Sequence, residues 1–154
     1  MIGSNSAGSG SVRYGMTSDH VHALDVGLSD ARPARFEPSM RPSARRAEQP
    51  TLEGPLYAGL PRLVDAHRDA IRTGFPLFWR RAGGYRLDRL VDRPFDLARF
   101  VVGFEGTLVT TTEATVRLVA KPAHTVIAVG HFRSTAAAIA ATGTRCPATH
   151  RPSS

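Results

Sequence analysis

Lysine is almost absent from this sequence. Of its 20 basic residues only Lys121 is a lysine and the rest are arginines, set against 13 acidic residues. The formal net charge of +7 invites a nucleic-acid reading, but so one-sided a use of arginine reads as the codon habit of a GC-rich genome. Apart from the pairs Arg45-Arg46 and Arg80-Arg81, the arginines are scattered. Aromatic residues are scarce too, at 7%, so the interleaved rings on which single-stranded bases stack are missing. A nucleic-acid partner is therefore not expected. Cysteine is reduced to Cys146, which excludes an internal disulfide framework and C-x-x-C metal clusters and fits a reducing compartment. Long apolar runs are lacking: residues 126–129 and 136–141 fall far short of the ~20 that a membrane span requires. The first residues carry neither a charged n-region nor an apolar h-region. A cytoplasmic chain without a metal site or membrane span is expected.

Small residues and glycine turns are what the sequence does have. Residues 3–11 are dominated by Gly, Ser, Ala and Asn. A disordered leader is one reading; a loop whose backbone N–H groups converge on an anion is the other. Tyr14-Gly15 marks a turn, after which Val21, Ala23, Leu24, Val26 and Leu28 lie in an extended run. Asp30-Ala31 is expected to turn the chain, and a type I′ turn would force Ala31 to positive φ. Residues 34–37 then return as a short strand ended by Pro38, and residues 39–50 read as a solvated loop.

Leu56, Leu60, Leu63, Val64, His67, Ala70 and Ile71 recur at helical spacing, with Pro61 as the expected first residue of the main helix. His67 falls on the apolar stripe, where a packed core or boundary histidine is the expectation. A glycine turn at 83–84 precedes a short helix, and residues 95–102 form another that ends at Gly103. Gly103 and Gly106 bracket Phe104-Glu105 in a sharp turn. The alternation of Ala114, Val116, Leu118 and Ala120 predicts a half-buried strand ended by Lys121-Pro122. A further strand over 125–129, a helix over 134–141 and a frayed tail holding Cys146 and His150 complete the expectation.

Two of these motifs carry a resemblance. Gly3, Asn5, Ser6, Gly8, Tyr14, Gly15, Thr17, Asp19 and Val21, and then Gly103, Glu105, Gly106, Thr107, Leu108, Thr112, Glu113, Ala114, Thr115, Arg117 and Leu118, match in order and spacing the FAD-linked oxidases. That family comprises vanillyl-alcohol-oxidase-like flavoproteins, among them D-lactate and D-2-hydroxyglutarate dehydrogenases and the glycolate oxidase flavin subunit. The resemblance implies an α+β fold: a partial FAD-binding domain with the first strand and helix of a capping domain. It places the second part of the FAD-binding domain at residues 1–121, the start of the substrate-capping domain at 122–141 and an irregular tail at 142–154. It implies FAD contacts at Gly3, Ser4, Asn5, Ser6, Ala7 and Gly8, and at Glu105, Gly106, Thr107, Leu108, Val109, Thr110 and Thr111. Arg80, Arg81 and Tyr85 match a segment that lies beside the flavin and the substrate acid, and arginine's planar fork suits a carboxylate.

A small 2-hydroxy acid and an electron acceptor are the implied partners; no side chain is implied as catalytic base. The sequence departs from the family pattern at Ala31, Gly83, Arg86, Phe104 and Val109. Positive φ at Val109 would be strained. In the family a phosphate-loop subdomain precedes the point where Met1 stands, so a fragment is expected. An inactive remnant that binds no FAD, or a basic binding module, are the alternatives.

Overall fold

The computed structural model describes residues 1–39, 44–76, 78, 80–81, 83–91 and 94–145. Cys146 and His150, expected in a tail, lie outside these residues. Helices and antiparallel sheets are mixed in an α+β arrangement. After two single-turn helices, α1 (Ser11–Tyr14) and α2 (Thr17–His20), the apolar run forms β1 (Val21–Gly27) as expected. Strand β1 lies at the centre of a three-stranded antiparallel sheet, between β2 (Pro33–Phe36) and β5 (Thr110–Val116). Its Val21, Ala23, Leu24 and Val26 are buried among the core residues.

The β1–β2 turn places Ala31 at φ +61°, the strain expected of that position. Left-handed backbone costs an L-residue about 1–2 kcal/mol, while glycine's freer unfolded chain returns about 0.4–1 kcal/mol of that cost. Ala31→Gly is therefore expected to stabilise the protein by roughly 0.5 kcal/mol, read as a raised urea midpoint at unchanged slope.

Helix α4 (Glu53–Ala66) and α5 (Arg68–Gly74) contribute side chains to the same core cluster as β1 and β2. Gly54, Tyr57 and Val64 of α4 and Ile71 of α5 are buried. Pro61 lies inside α4 and not at its start. The first turn is supplied instead by Glu53 and the residues after it, and Pro61 removes one interior N–H donor. His67 is exposed at the junction of α4 and α5, not packed in the core. Backbone φ of −118° there interrupts the helix, and of the predicted stripe Val64 and Ile71 are buried while Leu63 and Ala70 are exposed.

The solvated loop predicted over 39–50 contains structure. Residues Pro38–Ser39 form β3, paired with β4 (Phe95–Asp96), and α3 spans Ala44–Ala47. Arg46 organises this region: its Nη1 donates to the Tyr57 hydroxyl at 2.6 Å and to the Arg35 carbonyl at 2.9 Å. Burial raises the Tyr57 pKa, and the Arg46 charge only partly opposes that. Those partners are distant in sequence, so local composition does not reveal them.

Helix α6 (Asp88–Val91) and α7 (Leu97–Val101) complete the packing, with Leu97, Ala98 and Val101 buried. Strand β5 is an edge and stops at Val116; it does not continue to Ala120. No strand forms over 125–129, where Val126 is 86% exposed and Ile127 88%. Alternation makes a strand only where an edge accepts its backbone hydrogen bonds, and no strand among the described residues pairs with these. Helix α8 runs over Thr135–Arg145, longer than expected, with Ile139 exposed.

Candidate cofactor and substrate site

Each glycine loop is held in place by residues of its own motif. Asn5 is 2% exposed at φ +44°, and its Oδ1 accepts the Ser18 N–H at 3.0 Å. The Ser6 carbonyl accepts the Thr17 hydroxyl at 2.8 Å and the Thr17 N–H at 3.3 Å. Asp19 Oδ2 accepts the Met16 N–H at 2.9 Å, while its Oδ1 accepts Arg89 Nη2 at 2.9 Å. Gly15, at φ +90°, is required beside it, because a Cβ there would stand 2.8 Å from Asp19 Oδ2. The order Gly15, Thr17, Asp19 is thus a device for fixing residues 3–8. Among the expected cofactor residues, Asn5 turns its side chain inward to this task.

The second loop follows α7. Asp96 caps that helix, its Oδ1 accepting the Arg99 N–H at 2.9 Å. Burial pushes the Asp96 carboxyl up, against the opposing pull of that N–H and the Arg99 charge. Beyond the helix, Gly103 stands at φ +96°, Glu105 at +51° and Gly106 at +78°. Phe104, where the family pattern has serine, points into the core. Val109 is not among the positive-φ residues, so the strain expected there is absent.

These two loops, far apart in sequence, meet. The Gly103 N–H donates to the Ile2 carbonyl at 2.9 Å and the Glu105 N–H to the Gly3 carbonyl at 2.8 Å. The N–H groups of Ser4, Ala7 and Gly106 donate to no acceptor among the described residues. Ser4 and Gly106 are exposed and Ala7 is half-buried. Backbone donors left available on both loops suit an anionic or carbonyl-bearing ligand.

Of the expected substrate residues, two reach these loops. Arg80 Nη2 lies 3.5 Å from the Gly8 carbonyl, and the Tyr85 hydroxyl lies 2.8 Å from Thr107 Oγ1. Thr107 Oγ1 in turn donates to the Phe104 carbonyl, which leaves the Tyr85 hydroxyl as donor to Thr107. Arg81 turns elsewhere. Its Nη2 pairs with Asp88 Oδ2 at 2.9 Å and its guanidinium sits 5.7 Å from the Phe75 ring centre.

Arg86 shares the same carboxylate, through Nε to Oδ1 and Nη2 to Oδ2, both at 2.8 Å. Burial alone would raise the Asp88 pKa; the Arg86 hydrogen bond and the charges of Arg86, Arg81 and Arg89 outweigh it and lower it. Burial also lowers the Arg81 pKa, aided by Arg86 and Arg89, although Asp88 opposes the shift. In this cluster Arg81 Nε, Arg86 Nη1 and Arg89 Nε are buried without a hydrogen-bond partner among the described residues, as is Arg99 Nε elsewhere. Each such orphan ordinarily costs about 1–3 kcal/mol.

A cleft of about 710 Å³ opens beside α5, with Ile71, Phe75, Phe78, Arg80, Arg81 and Arg86 among its lining residues. In the sequence Arg86 stands only as a departure from the family pattern, and Asp88 carries no expectation. The available signal was one acid, Asp88, set among Arg80, Arg81, Arg86 and Arg89. No group of three potential metal ligands occurs among the described residues, and none of their helices is long and apolar enough to cross a membrane.

Two joined glycine loops, with backbone amides left without a protein acceptor among the described residues, form the candidate ligand site. The chain is similar to part of three D-2-hydroxyglutarate dehydrogenases. It is 36% identical to that of Pantoea ananatis over 119 residues, 74% of this chain and 12% of the relative. The Escherichia coli protein is 33% identical over 122 residues, with 74% and 12% covered, and the Pseudomonas putida protein 29% identical over 132, with 82% and 13% covered. The chain therefore spans about an eighth of the length of the curated relatives it matches. No family model matches it.

Proposed function

We propose that this chain is a segment of an FAD-dependent oxidoreductase of the FAD-linked oxidase family, acting on a 2-hydroxy acid of the D-2-hydroxyglutarate, D-lactate or glycolate type. In this reading residues 1–121 are the second part of a vanillyl-alcohol-oxidase-like FAD-binding domain and residues 122–141 begin a capping domain. The observation that carries the reading is the joining of the two loops through Ile2–Gly103 and Gly3–Glu105, with N–H groups on both loops left without a protein acceptor among the described residues. The similarity to the three dehydrogenases supports it independently.

When bound, FAD supplies the redox chemistry, taking up a hydride equivalent from the substrate's α-carbon. The chain's own part is binding and orientation. The N–H groups of Ser4, Ala7 and Gly106 hold the cofactor, with Gly3, Gly8 and residues 107–111 shaping the approach. Tyr85 and Arg80 sit at the edge of those loops. Arg81, the third residue read for the substrate acid, pairs with Asp88 away from those loops.

Titrating the purified chain with FAD tests the cofactor. Quenched flavin fluorescence and a saturable visible absorbance are expected. A colourless protein that takes up no added FAD overturns the cofactor reading.

A further inference from the structure

We propose that the open edge of β5 pairs with the β5 edge of a second copy of this chain, antiparallel about a two-fold axis at Thr115, so that the two sheets become one.

Strand β5 lies at the end of its sheet, with β1 on one side and no strand among the described residues on the other. The Arg117 N–H donates to the His20 carbonyl, and backbone groups along a strand alternate in direction. Ala114 and Val116 therefore direct their N–H and carbonyl groups away from β1. Such a row of open groups is a template for another strand unless the side chains forbid it. Proline, a common block, does not occur in residues 110–120.

The side chains decide which strand fits. Glu113, Thr115 and Arg117 alternate onto one face of β5 and are exposed. Neither Glu113 nor Arg117 has a side-chain partner among the described residues. Glu113 stands across from Asp25 of β1, a like charge that already engages Arg35. Like charges directly opposite are destabilising, so Glu113 gains from a cation on its outer side. Opposite charges placed evenly about Thr115 make this edge complementary to itself. With Thr115 facing Thr115 across the axis, Glu113 of each copy meets Arg117 of the other.

The same register satisfies the backbone. Ala114 of each copy then lies opposite Val116 of the other, and these are the residues with outward backbone groups, so they form the hydrogen-bonded pairs. Glu113–Arg117 and Thr115–Thr115 fall at the intervening positions, where cross-strand side chains come closest. On the opposite face Val116, 47% exposed, and Leu118, 86% exposed, come to lie against Ala114 and Thr112 of the other copy. A register that sets Thr115 against Glu113 or Arg117 makes neither ion pair. Charges on an edge strand ordinarily keep other strands away; that device needs like charges to meet, and here the symmetric register brings opposite ones together.

Sedimentation velocity of the full chain over a concentration series is expected to show a monomer–dimer equilibrium that weakens as salt is raised. Glu113→Arg and Arg117→Glu are each expected to raise the dimer dissociation constant at least about tenfold. Combining them should return it to within about threefold of wild type. Circular dichroism verifies that each variant is folded. A cross-link reads the register independently of those variants. In a Cys146→Ser background, Thr115→Cys is expected to form an intermolecular disulfide under mild oxidation, because close antiparallel pairs stand at the Cα spacing a disulfide spans.

A chain that stays monomeric throughout overturns the proposal. So does a dimer that neither single reversal weakens, or one that the double reversal fails to restore. Absence of the Thr115→Cys cross-link overturns the register. A monomer whose Ala114 and Val116 amides resist hydrogen exchange shows a segment of the same chain on this edge and overturns the proposal equally. None of these measurements involves flavin, so their outcome is separate from that of the FAD titration.

Discussion

Asp19→Ala is expected to destabilise the protein by about 3 kcal/mol, seen as a large fall in the urea midpoint. Removing the cap that Asp19 provides to the Met16 N–H is worth about 1 kcal/mol. The same substitution strips Arg89 of its partner, when Arg89 Nε is already buried and unpaired. Breaking a fully buried ion pair costs about 3–5 kcal/mol, but Arg89 and Asp19 side chains are 28% and 18% exposed, so about 2 kcal/mol is assigned to this part. The second half is separable. Adding Arg89→Leu to Asp19→Ala should recover about 1–2 kcal/mol, because the uncompensated charge is removed along with its partner. A loss below about 1 kcal/mol for Asp19→Ala would contradict the double role given to this carboxylate.

Gly103→Ala is expected to have the largest effect on cofactor binding. Gly103 sits at φ +96°, outside the conformations that alanine adopts easily, and an added Cβ would lie 3.3 Å from the Asn5 Cβ. Strain of about 1–3 kcal/mol follows, relieved only by moving the turn away from residues 2–5. That movement breaks the Gly103–Ile2 and Glu105–Gly3 hydrogen bonds and separates the donors meant for one ligand. FAD affinity should fall by at least about tenfold. Gly59→Ala is the control: it lies inside α4 with nothing within 4 Å of an added Cβ. Alanine there should stabilise the helix by up to about 1 kcal/mol while leaving FAD affinity unchanged. An equal loss of affinity in both variants would show that the Gly103 junction has no special part in binding.

Local chemistry explains which features could be read from the sequence. Strand β1 was legible because its alternation is a property of neighbouring residues, and the same holds for the turn at Ala31 and the glycine stop of α7 at Gly103. The two glycine loops were legible as motifs, because left-handed backbone and close approach restrict which residues can stand there. What the sequence by itself determined was therefore the set of local conformations and the likeness to flavin-linked dehydrogenases.

Tertiary structure decided everything that depends on a distant partner. Residues 125–129 have the composition of a strand but meet no edge, whereas residues 38–39 look like loop and pair with β4. Arg46 builds order into an arginine-rich stretch by reaching Tyr57. Arg86, read locally as a departure from a motif, becomes a buried cation that shares Asp88 with Arg81. The physical reason is common to all four. Backbone pairing, desolvation and charge compensation are set by what lies across space, and only the folded chain puts Asp88 between two arginines and the loop at Gly3 against the turn at Glu105.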